Sequence, residues 1–149
     1  METQLSAGER KFLLEIARET MESAVTGKQL PQKDPGSISE RCRQDGASFV
    51  TLTIEGDLRG CIGTLEAFQP LYLDVQEHAV QAALEDHRFP PVSREELPLI
   101  SIEISHLTAP VPLAYFSPQE LAKRLNPHVD GVILRDGYRR ATFLPQVWD

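Results

Sequence analysis

The chain has 149 residues, 41% of them hydrophobic, which is enough for one domain with a real core. A formal net charge of −7 argues against a nucleic acid or an anionic membrane recognised by bulk electrostatics. Two cysteines, Cys42 and Cys61, make neither a disulfide framework nor a CxxC metal or redox pair. With no apolar run of membrane-helix length and no signal peptide at Met1-Glu2-Thr3, the sequence reads as soluble, reducing and cytoplasmic, without structural metal or cofactor.

In chain order, Leu5 to about Val25 predicts a helix. Ser6 and Glu9 form a capping-box pattern, Phe12, Leu13, Ile16, Ala17 and Thr20 share one face, and Gly27 stops it. Residues 28–37 shift to Pro, Gln, Lys, Asp and Gly, a surface loop with no domain boundary, and Ser39 to Gln44 suits a helical turn. Phe49–Ile54 then alternates as a strand, Glu55-Gly56-Asp57 closes a hairpin, and Leu58–Ile62 returns antiparallel near the middle of the sheet. The expected core here is Val50, Leu52, Ile54 and Ile62. If the return arm stays extended, Leu58 and Ile62 face the core, while Arg59 and Cys61 share the other face.

Pro70 opens a helix whose stripe, Leu71, Val75, Ala79, Ala82 and Ala83, runs to Asp86 before Arg88-Phe-Pro-Pro91 ends it. Ser93-Arg-Glu-Glu96 starts a short turn cut by Pro98. Leu99–Leu107 is a clean strand, with Ile100, Ile102 and Ile104 against Ser101, Glu103 and Ser105. Pro110 and Pro112 make the next segment irregular. Ser117-Pro-Gln-Glu120 caps a helix to about Leu125, and Val132–Leu134 and Tyr138–Phe143 flank the hairpin signal Arg135-Asp-Gly137. Helices with antiparallel hairpins and no βαβ period predict an α+β fold. The sheet is mainly antiparallel with flanking helices, in a single compact domain over 1–149 with room for a small subdomain.

Chemistry points first to Cys61. A thiolate at neutral pH needs a nearby cation, since an unperturbed cysteine titrates at about 8.5, and Arg59 could be that cation and an anion anchor. The competing reading makes Cys61 a small buried residue. Gly60 and Gly63 either bare backbone amides for an anion or substrate carboxylate, or let a bulge form or a helix pack close. Glu103 is an acid/base candidate, or an ion-pair partner of Arg59. Arg88 borders the glycine segment as a ligand contact, or caps the helix with Phe89 as a hydrophobic lock. Thr64 closes the segment as a further ligand-binding candidate. Asp74 and His78 lie i,i+4 on a helix and make no metal site by themselves. The local basic pairs Arg41/Arg43 and Arg139/Arg140 read as solvated surface.

Leu58-Arg-Gly-Cys-Ile-Gly-Thr64 resembles the signature of the AMMECR-one domain family. The likeness continues through Phe49-Val-Thr-Leu52, Ala83 to Pro91, Glu96-Leu97, Ile102-Glu-Ile-Ser105, Gly131-Val-Ile-Leu134 and Ala141 to Val147. The resemblance implies a further helical segment after Leu144-Pro-Gln-Val147 in members of the family, so that a chain ending at Trp148-Asp149 would be either a naturally short member or a truncated product. The resemblance implies a component of an AmmeMemoRadiSam-type system, of the protein A type, associated with a Memo-like protein and a radical SAM enzyme. It would be a partner-docking or small-ligand-binding module built round Leu58–Thr64. The alternative is a cysteine-dependent enzyme with Cys61 as nucleophile and Arg59 as anchor.

Overall fold

The computed structural model describes residues 4–145 and divides at Ala109–Pro110 into two compact units. The first begins with α1 (Ala7–Val25). Ser6 Oγ accepts from the Glu9 amide at 3.1 Å and Glu9 returns a carboxylate to the Ser6 amide at 2.9 Å, the predicted capping box. Gly27 follows at φ +70°, the left-handed residue that ends many helices. A short turn α2 (Glu40–Arg43) leads into β1 (Ala47–Ile54) and β2 (Asp57–Gly63), joined through Glu55 and Gly56, both at positive φ. That pair of dihedral signs is the type I′ pattern of tight hairpins.

After α3 (Leu71–Leu84) and a 3₁₀ segment (Arg94–Leu99), β3 (Ile100–Leu107) pairs antiparallel with β1. The sheet order is β2-β1-β3, so β1 is central and β2, expected near the middle, is an edge strand. The α+β class is therefore observed. Helices cover the sheet face bearing Val50, Leu52, Ile62, Ile102 and Ile104, with α3 against β1 and β2 and α1 against β3 and α3. Val50 and Leu52 are fully buried, while Ile54 and Ile62 pack half-buried at the margin. Leu13, Ile16, Ala17 and Met21 of α1 and Leu71, Val75, Ala79, Ala82 and Ala83 of α3 complete this core.

The helix–sheet interface also holds a buried polar clamp. Asp74 Oδ2 accepts from the Ser48 amide (2.9 Å) and hydroxyl (2.6 Å), and His78 Nδ1 lies 3.2 Å from the same oxygen. Burial pushes the Asp74 carboxyl up, but hydrogen bonds from His78, Ser48 and Gln69 outweigh it and hold it below its ordinary value.

The second unit contains α4 (Pro118–Arg124) and the hairpin β4 (Val132–Asp136)–β5 (Arg139–Phe143). Asp136 pairs with Arg139, so the two-residue loop is Gly137-Tyr138, with Gly137 alone at positive φ. Glycine first and positive is the type II′ pattern, a loop shorter and later than the Arg135-Asp-Gly137 connection that the sequence suggests. Among the described residues no helix is long and apolar enough to cross a membrane.

Candidate functional site

The β1–β2 register shifts between Leu52 and Thr53: Leu52 faces Gly60, and Thr53 faces Leu58. One residue, Arg59, is extra, which makes this a bulge. The bulge reverses the face expected for Leu58. It lies beside Thr53 and is 42% exposed, a correction to its assignment to the core. Arg59 leaves the regular alternation too. Its guanidinium forms a two-pronged pair with Glu96, at 2.6 Å from Nε and 3.1 Å from Nη2. Glu96 also accepts from the Ser93 amide. Its carboxyl is held down to about 2, chiefly by the Arg59 bonds and then by Ser93.

Beyond the bulge the register recovers. Cys61 faces Thr51, and Thr51 faces Glu103 across the other ladder. Directly opposed residues share a face, so Cys61, Thr51 and Glu103 form one cross-strand row on the side away from Val50 and Leu52. Cys61 is half-buried and its sulfur lies 3.2 Å from the Thr51 hydroxyl. Glu103 is exposed.

The outer edge of β2 is closed by side chains from the segment that follows α3. Asp86 Oδ2 accepts the Cys61 amide at 3.0 Å, and Arg88 Nη2 reaches the Cys61 carbonyl at 3.4 Å. The two also pair with each other at 2.8 Å. Together they offer the edge residue one acceptor and one donor, as a neighbouring strand would. Bonds from Arg88, and secondarily from the Cys61 amide, hold the buried Asp86 carboxyl far below the usual carboxylate range. The guanidinium carbons of Arg59 and Arg88 stand 6.0 and 5.5 Å from the centroid of the Phe89 ring, which links the two ion pairs.

The glycines have packing reasons. A Cβ on Gly60 would lie 2.2 Å from the Ala82 carbonyl oxygen of α3, and one on Gly63 would lie 2.3 Å from Phe49 Cγ. Thr64 donates its amide to Ser48 O at 3.2 Å and extends the ladder by one rung. The motif thus gathers Arg59, Cys61 and Arg88 at one sheet edge, with Glu103 on the Cys61 row but two strands away, across β1. Sequence reasoning missed Asp86 and the role of Glu96. Asp86 stands two residues before Arg88, and Glu96 occupies the third position after the cap Ser93, so both had local signals.

Asp74, Glu77 and His78 bring one ligand atom each within 4.8 Å of one another. Asp74 is already engaged by Ser48 and His78, and the Gln69 amide joins Asp74 Oδ1 (3.1 Å) to Glu77 (2.6 Å). This is a hydrogen-bonded clamp whose donors are shared among themselves. Ser48, His78 and Asp74 are all buried, and the hydroxyl and the carboxylate meet the same imidazole nitrogen. A Ser-His-Asp relay needs the two ring nitrogens on different partners, so none is formed here.

Comparison with known proteins agrees with these motifs. The AMMECR1 family model matches residues 14–149. A protein of Methanothermobacter thermautotrophicus is 41% identical over 97% of this chain and 78% of its own length, and one of Nanoarchaeum equitans is 34% identical over 92% and 78%. The crystal structure of PH0010 from Pyrococcus horikoshii superposes with a TM-score of 0.84 at 32% identity, covering 96% of this chain and 72% of that one. The chain belongs to the AMMECR1 family.

Proposed function

We propose that this protein is the partner-docking component of an AmmeMemoRadiSam-type system, associating with a Memo-like protein and a radical SAM enzyme through the surface built on Leu58–Thr64. The observation that carries this reading is the engagement of the motif's polar groups within the protein. Arg59 is held in two prongs by Glu96, and the Cys61 amide and Arg88 are both held by Asp86. A substrate anion would have to displace a carboxylate from each cation. A macromolecular partner needs no such exchange, because it can use the presented shape and the exposed Leu58.

Titration calorimetry against the Memo-like and radical SAM proteins of the same genome tests the reading. Leu58→Glu is expected to weaken binding at least tenfold with an unchanged melting temperature, while Cys61→Ser binds normally. If the native protein binds neither protein, singly or mixed, the docking reading fails. The cysteine-enzyme alternative predicts instead that Cys61→Ser abolishes function while association is intact.

A further inference from the structure

The β4–β5 hairpin tip concentrates positive charge in an acidic chain. Residues 135–140 hold three arginines and one aspartate, while the whole chain carries −7. The register sets Arg135 directly opposite Arg140, and like charges in that position work against the hairpin. Arg139 faces Asp136 across the last rung. Even so, neither Arg139 nor Arg140 takes part in an ion pair among the described residues. Tyr138, second in the loop, is 95% exposed, and every residue of β5 is exposed. Leu134 and Phe143, on the Arg139 face by register, remain 44% and 45% exposed. A two-residue loop with glycine at its required position fixes this display before any partner arrives.

We infer that the hairpin tip, through Arg139, Arg140 and Tyr138, is a recognition finger for an acidic segment of a partner protein. Arginine and tyrosine are, with tryptophan, the side chains most enriched where binding energy concentrates at protein interfaces. Carboxylates match the guanidinium fork, and the neighbouring Leu134 and Phe143 suit apolar residues interleaved with the acids. A nucleic acid is disfavoured, since a net charge of −7 repels a polyanion beyond the reach of the finger. A second copy of the chain is disfavoured as well, since two whole chains of −7 each repel one another. The inference rests on the docking reading and adds a second contact surface with a stated chemistry.

Fluorescence anisotropy with a labelled ten-residue oligoglutamate peptide, at low salt, tests it on the full chain. The native protein is expected to bind, and the double variant Arg139→Gln/Arg140→Gln to bind at least fivefold more weakly. Tyr138→Ala should show a smaller loss. Arg43→Gln, at the exposed turn α2, should bind as the native protein does. Raising the salt should weaken native binding more steeply than that of the double variant. Equal binding by native and double variant overturns the finger, as does tighter binding of a single-stranded oligonucleotide of equal charge. Leu58→Glu is expected to leave peptide binding intact, so failure of the finger and failure of the Leu58 surface are read separately.

Discussion

At Gly60 the added methyl of an alanine would stand 2.2 Å from a backbone oxygen of α3, which no rotamer change relieves. Gly60→Ala is expected to lower the unfolding free energy by about 3 kcal/mol or more, measured as a fall in urea midpoint. Cys61 makes the opposite case. The Thr51 hydroxyl 3.2 Å from its sulfur can pair with a serine hydroxyl, so Cys61→Ser is expected to cost less than about 1 kcal/mol, despite the half-buried site. A loss above about 2 kcal/mol in the same urea assay would contradict the pairing. The sequence offered both meanings of these residues. Spacing revealed that Gly60 and Gly63 were special, but only the approach of Ala82 and of Phe49 says why.

The bulge is the element where period-two reading stopped working. Alternation placed Val50, Leu52 and Ile62 correctly and failed at Leu58, because one extra residue exchanges the faces of everything beyond it. Partners brought together by folding were equally hidden: Glu96 is 37 positions from Arg59. Their pair has a pH signature. The folded Glu96 carboxyl titrates near 2, below its reference value of 4.5, so its contribution is complete above about pH 5 and fades as pH falls towards 2. The stability gap between the native protein and Glu96→Gln is therefore expected to be on the order of 2 kcal/mol at pH 7 and to close progressively on acidification. Chemical denaturation across pH 2–7 checks this, and a gap that stays constant to pH 2 would remove the pair from the account of acid stability.

For the whole molecule, burial is unevenly divided between the two units. The buried apolar residues run from Leu5 to Ile100, and none of the described residues beyond Ile100 is buried. The sequence showed the helices, strands and hairpins of both parts, because capping boxes, alternation and turn glycines are local. It did not show that the second set of elements forms a unit without a fully buried residue, since burial depends on what each face meets. A two-stranded hairpin has marginal stability of its own, and local opening follows the density of buried apolar contacts. Native-state hydrogen exchange should therefore separate the parts. Amides of Val50, Leu52 and Glu103, inside the three-stranded ladder over the core, are expected to open only with global unfolding. Those of β4 and β5 should exchange through local opening, at least a hundredfold faster after correction for intrinsic rates. Exchange followed by mass spectrometry at several denaturant concentrations decides it. If the hairpin amides merge with the core amides into one isotherm, the second unit is as stable as the first.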